Sequence, residues 1–230
     1  MANHAFDTSD PAAVDRTTYF RHGCNALAKS HMVRDMVPDS AKFIFLLESP
    51  HVQELKFGAP VSGLSGASMS RHLFGEQYER IPLGLIVKKN RDEALQRPAV
   101  NRVGLMNVCN IPMQASAYGD AALVAEHATL LQVLATLRTV GGAGSYRDPD
   151  VNIVQEMLLV SFRKRLQVLR NRHVTMVPCG RFAQKFFALA AISSENWTVM
   201  GDIPHPSYNN WSKPTYAAAV SRLREAFARG

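Results

Sequence analysis

Five apolar residues in a row, Phe43-Ile44-Phe45-Leu46-Leu47, run straight into Glu48-Ser49-Pro50-His51. An apolar run this short is too brief for a buried helix and reads as a strand covered on both faces, as in the middle of a parallel sheet. Its abrupt polar end then falls at the carboxyl edge of the sheet, where open α/β folds place their ligands. Pro50, Gly58, Pro60, Gly63 and Gly66 make the next stretch an irregular loop of close backbone approach. Taken alone, Glu48 also fits a plainer picture, a strand entering a surface turn.

The same pattern recurs along the chain. A second strand spans Arg102 to Val108 and ends in Asn107 and Asn110. A third, His173 to Pro178, passes through Cys179-Gly180-Arg181 into the helical segment RFAQKFFALAA. A fourth, Trp197 to Ile203, ends in His205-Pro206-Ser207-Tyr208-Asn209-Asn210. Helical spacing covers Pro11 to Val37, Ser65 to Leu73 with Gly75 as stop, Asp120 to Val140 ended by Gly141-Gly142, Val151 to Asn171, and Pro214 to Ala228. Glu76 to Pro98 has no clear pattern, because Pro82 and Gly84 spoil both a helix and a central strand. Strands alternating with helices predict a three-layer α/β/α fold with a central four-stranded parallel sheet. The expected layout is a single domain over residues 1–230, with residues 1–40 as a helical extension packed on it.

Parallel strands share a direction, so the polar ends carrying Glu48 and Ser49, Asn107, and His205 and Ser207 meet at one edge. Glu48 can accept a proton or orient a water. Asn107 offers a donor and an acceptor on one planar amide, which matches the edge of a base. His205 can donate a hydrogen bond to charge developing on a leaving group. Pro50 and Pro206 stiffen the loops, and Gly58, Gly63 and Gly66 allow backbone N–H groups to approach a phosphate. Together these suit hydrolysis at a sugar carbon from which a base departs as an anion. Ser65 in GLSGA is not a nucleophile elbow, since Ala67 stands where the last glycine belongs.

Composition narrows the class. The chain has 230 residues, 47% of them hydrophobic, with no run long enough to span a membrane and no signal-like N-terminus. A cytoplasmic, membrane-free protein is expected, and nothing demands more than a monomer. Cys24, Cys109 and Cys179 lack the CxxC pairing of a zinc or iron–sulfur site, so no metal and no cofactor is expected. The net charge of +7 and a pI near 9.5 favour polyanion partners. Arg163, Lys164, Arg165, Arg170 and Arg172 cluster, as either a phosphate contact surface or a solvated helix face.

From Phe43 onward the chain resembles the uracil-DNA glycosylase superfamily. LESPH, Leu47 to His51, is similar to that family's G-E-A-P-G motif, and ELKFGAPVSGLSG, Glu54 to Gly66, to the segment that follows it. LMNV, Leu105 to Val108, resembles the strand carrying the base-reading asparagine; VPCGRFAQ, Val177 to Gln184, the glycine-started helix; and HPSYNN, His205 to Asn210, the second catalytic motif. The resemblance implies a metal-independent, monofunctional DNA glycosylase of base excision repair, acting on a flipped-out uracil or related damaged base in DNA. It makes Glu48 and His205 catalytic, with His205 stabilising the base anion. It places Asn107, Ser49, Pro50, Val61 and Phe57 around the base, and Gly63, Ser65, Gly66 and Ser207 along the DNA backbone. Several positions depart from the family. Leu47 replaces a glycine, and Ser49 stands where some branches hold an aspartate, leaving water activation to Glu48. Val61 stands where an aromatic residue stacks on the base, with Phe57 the nearby substitute. The iron–sulfur cysteines are absent, and Asn209-Asn210-Trp211 differs from the usual wedge. Two other readings fit the same residues: a base- or nucleotide-binding module of this fold without turnover, and a small-molecule hydrolase using Glu48 and His205.

Overall fold

The computed structural model describes residues 11–139 and 144–229. Strand β1 (Phe43–Leu47) lies inside a four-stranded sheet, between β2 (Val103–Asn107) and β3 (Val174–Pro178), with β4 (Trp197–Val199) outside β3. Every pairing is parallel. Helices α1 (Pro11–His31), α2 (Val52–Phe57), α3 (Leu64–Phe74), α4 (Leu83–Asp92) and α5 (Pro98–Asn101) occupy the first half of the chain. Helices α6 (Ala121–Glu126), α7 (Ala128–Thr139), α8 (Pro149–Gln167), α9 (Gly180–Ala190) and α10 (Ala217–Arg229) occupy the second. All five side chains of β1 are buried, as its unbroken apolar run predicts.

Alternation along the strands divides the interior into two cores. Ile44 and Leu46 join Met106 and Met176 under Phe20 and Leu27 of α1, Leu134 of α7, Phe162 of α8 and Phe186 of α9. Phe43, Phe45 and Leu47 join Leu105 and Val177 under Met69 of α3, Leu83 of α4, Trp211, and Leu223 and Phe227 of α10. Helices therefore cover both faces of the sheet, in agreement with the α/β architecture expected from the sequence.

The elements differ from expectation in a few places. Helix α1 stops at His31 instead of Val37, because the next residues give their backbone groups to the edge of β2. Met36 exchanges hydrogen bonds of 2.8 Å with Leu105 in both directions, and Val33 N–H donates to the Asn110 carbonyl. That contact covers backbone groups an edge strand would otherwise expose. The helix expected from Asp120 to Val140 is two helices, broken at His127, with the Asp120 carboxylate capping the first. Val140 and its Gly141-Gly142 stop lie outside the described residues. The fourth strand ends at Val199 instead of Ile203, where the chain turns at Gly201-Asp202. The unpatterned region contains α4, with Pro82 at its N-cap, where a missing N–H costs nothing. Gly84 is required there: a Cβ would lie 1.9 Å from the Pro60 carbonyl oxygen.

Three members of the basic cluster are partly buried and bind carbonyls and carboxylates of the chain itself. Arg165 donates to both Asp35 carboxylate oxygens (3.1 and 3.0 Å), to the Asn107 carbonyl (2.6 Å) and to the Val108 carbonyl. Arg163 pairs with Glu156 and donates to the Leu189 and Ala190 carbonyls. Arg172 donates to the Pro38 and Ala41 carbonyls. Lys164 and Arg170 are exposed. Arg165→Ala strands the Asp35 carboxylate and two carbonyls, so urea unfolding should show a loss of about 3 kcal/mol. A loss below about 1 kcal/mol would reduce Arg165 to an ordinary surface cation.

Candidate active site

The carboxyl ends of the strands open into a cleft of about 1060 Å³ lined by Glu48, Asn107 and His205 together. Ser49, Val61, Gly63, Ser65 and Ser207 line it as well. Pro50, Phe57 and Gly66 do not. Pro50 is buried, and Phe57 sits beneath its neighbour's ammonium, with Lys56 Nζ 5.4 Å from the ring centre. Phe57 therefore does not replace the missing aromatic wall. Gly66 is buried in α3, where a Cβ would lie 1.7 Å from the Val61 carbonyl oxygen, so it serves loop packing instead of a DNA backbone.

Asn107 is the last residue of β2 and only 1% exposed. Its carbonyl is held by Arg165, yet neither Nδ2 nor Oδ1 has a hydrogen-bond partner among the described residues. Buried amides are almost always satisfied, so a fully unpartnered one at a cleft wall marks a place for a ligand. Leu47 pairs with Asn107 in register, which sets Glu48 just beyond it. Glu48 Oε1 accepts from Arg138 Nε at 2.6 Å, with both side chains partly buried. Burial raises the Glu48 pKa above the ordinary carboxylate value, and Arg138 offsets part of that rise. Arg138 lies in the last turn of α7, ninety positions along the chain. No local pattern marks it, and sequence reading missed it. Beside the cleft, a hollow of about 240 Å³ shares Glu48, Arg138, Arg181 and His205 and adds Lys185.

His205 lies hard against the start of α9. Gly180 has φ +84, and a Cβ there would come 2.6 Å from the His205 Cβ, so only glycine fits. Gly180 N–H and the Gln184 amide both donate to the Ile203 carbonyl, anchoring the segment that carries His205. Ser207 N–H donates to His205 Nδ1 at 3.2 Å, which leaves the proton of a neutral ring on Nε2. Burial and the nearby Arg138 push the His205 pKa down to about 4. The ring is thus a neutral donor at physiological pH. Ser65 and Ser207 hydroxyls meet at 2.9 Å and tie the two loops together. At the cleft mouth, Leu64 is 91% and Tyr208 87% exposed, with Tyr208 and Asn209 both in the left-handed region.

Glu54 also lines the cleft, although the sequence reading gave it no role. It sits in the first turn of α2 and reaches back to His51 N–H (2.9 Å), the reach of an N3 glutamate in a capping box. Its other oxygen accepts Val61 N–H at 2.7 Å. Val61 is held at φ +46, an uncommon conformation for a β-branched residue. Loss of hydration pushes the Glu54 pKa up to about 7, against the stabilising pull of those two N–H groups and the adjacent Asn107 amide.

Among the described residues, no group of three or more His, Cys, Asp or Glu side chains is placed to hold a metal, and no helix is long and apolar enough to cross a membrane. No protein-family model and no curated protein matches the chain.

Glu54 makes stability depend on pH. Its folded pKa near 7 exceeds the ordinary 4.5, so the native chain holds an extra proton between those values. Its contribution to stability therefore falls as pH rises through that window. Glu54→Gln removes the titration. The stability of the wild type relative to this variant should improve by about 2 kcal/mol on going from pH 8 to pH 5, read by denaturant unfolding. A relative stability unchanged between the two pH values would return Glu54 to an ordinary carboxylate.

Proposed function

We propose that the chain is a DNA glycosylase of the uracil-DNA glycosylase type, hydrolysing the N-glycosidic bond of uracil or a related damaged base. The observation that carries this reading is the Asn107 amide, buried and unpartnered, in the same cleft as Glu48 and His205. A base edge would satisfy its donor and acceptor at once. The departing base carries developing negative charge, which a neutral His205 can meet with Nε2–H and no prior protonation. Glu48 Oε2 takes no hydrogen bond among the described residues, so it can orient the attacking water while Arg138 holds Oε1. Leu64 and Tyr208 stand in solvent at the mouth, where Tyr208 suits stacking on a base that remains in the strand and Leu64 suits insertion as an apolar wedge.

One observation favours the second reading, a base-binding module without turnover. The Glu48–Arg138 ion pair ties down the carboxylate at the end of β1 and reduces its basicity.

Abasic-site formation on uracil-containing single- and double-stranded DNA separates the two. The enzyme reading expects product, its loss in Glu48→Ala, and a drop on the order of 100-fold in His205→Ala, the usual effect of removing one donor to a developing oxyanion. Salt-sensitive binding without product supports the module. Absence of DNA affinity at low salt would overturn both.

A further inference from the structure

A second hollow, of about 490 Å³, lies at the opposite end of the sheet from the cleft. Arg102, which lines it, immediately precedes β2, whereas the cleft begins at Asn107, the last residue of that strand. The last turns of α3 and α10 border the hollow together with α4 and α5. Phe74, Tyr78, Ile86, Val100 and Phe227 make its wall apolar. The rings are set against one another: Phe74 meets Tyr78 edge-on at 5.6 Å and Phe227 edge-on at 5.8 Å. Phe227 is buried, and Phe74 and Tyr78 are half-buried.

Two guanidinium groups line this apolar space, Arg102 half-buried and Arg97 exposed at the rim. No Asp or Glu is among the described residues that line it, and neither arginine forms an ion pair with a described residue. Arg102 is nonetheless held in place. Its guanidinium carbon lies 4.6 Å from the Phe227 ring centre and 6.0 Å from that of Phe43, and Nη2 donates to the Phe227 carbonyl. Those contacts fix the group but bring no negative charge to it. Nε is buried without a partner, and Nη1 has none among the described residues. A charge withdrawn this far from water is ordinarily matched by an opposite one. The chain itself supplies no such match at Arg102.

We propose that this hollow is a binding site for a small carboxylic acid with a flat apolar body. Concave, mostly apolar sites of this size with a few convergent polar groups are where small molecules bind. The body packs among Phe74, Tyr78 and Phe227, and the carboxylate accepts from Arg102 Nη1 and from Arg97. A planar carboxylate matches the planar guanidinium, and the bond is charge-assisted. A nucleotide suits the site less well, because its sugar hydroxyls need partners. Gln77 and Tyr78 are the uncharged polar side chains among the described lining residues, and the Gln77 amide already donates to the Phe74 carbonyl. The site lies outside the cleft and is independent of the glycosylase reading.

The test is a titration of the ¹⁵N-labelled full chain with 1-naphthoate, followed by amide NMR signals. Those of Phe74, Tyr78, Val100, Arg102 and Phe227 should move, while those of Glu48, Asn107 and His205 stay. 1-Naphthamide has the same shape without the charge and should bind about tenfold or more weakly, the worth of one hydrogen bond to a charged group. Arg102→Met should weaken naphthoate by a similar factor. Should that variant not fold, Arg97→Met serves, since Arg97 is exposed: it should weaken naphthoate and leave naphthamide unchanged. Signals that do not move at millimolar naphthoate overturn the proposal, as does equal affinity for the acid and the amide. Displacement of naphthoate by deoxyuridine 5′-monophosphate overturns the ligand class in favour of a nucleotide. Tighter binding of acetyl-Phe-Asp-amide than of naphthoate overturns it in favour of a docked peptide.

Discussion

The burial of β1 on both faces is the constraint on which the molecule depends. Two strands flank it and two helical layers cover it, so no side chain from Phe43 to Leu47 can be polar without an unpaired group in a core. Polarity can enter only where the strand ends. Parallel pairing then brings the ends of β2 and, through a short loop, the segment after β4 to the same rim. The cleft is a consequence of strand direction, and its floor is as rigid as the sheet beneath it.

Above that floor, the loops are shaped by close backbone approach. Gly66 and Gly84 have no room for a side chain because the carbonyls of Val61 and Pro60 occupy it. Gly180 has none because His205 does. These contacts press the loop after β1 between α3 and α4 and hold the histidine against α9. The strained Val61 is affordable because Glu54 grips its N–H and the packed glycines leave it no alternative. Strain that neighbouring structure enforces in this way concentrates at sites where geometry matters more than stability.

One ion pair, Glu48 with Arg138, lies in the cleft beside the histidine. Glu48 is matched by Arg138, and the histidine is kept neutral by burial and by the same arginine. Such an arrangement suits chemistry in which negative charge appears on a departing group, since a neutral donor gains strength as that charge grows. The chain's excess of positive charge, by contrast, says less about partners than its size implies. Arg163, Arg165 and Arg172 spend their guanidinium groups on internal carbonyls and carboxylates.

Much of the fold was legible in the residues. The run Phe43–Leu47 and the segments around Val103 and Val174 became strands at nearly their expected bounds, because short apolar β-rich stretches bounded by Pro and Gly have few alternatives. The convergence of Glu48 and Asn107 followed from strand direction, while His205, six residues past β4, also needed the anchoring of Ile203 by Gly180 and Gln184. Helix limits at His31 and His127 were not legible, since they depend on which distant backbone offers a partner. Nor were the roles of Arg138, Arg165 and Glu54, which arise from contacts between residues far apart in the chain or from a loop folded back on itself. The order of residues determined which chemistries could gather at the sheet edge. Tertiary packing alone decided which of them face a ligand, because burial and hydrogen-bond supply are properties of neighbours in space.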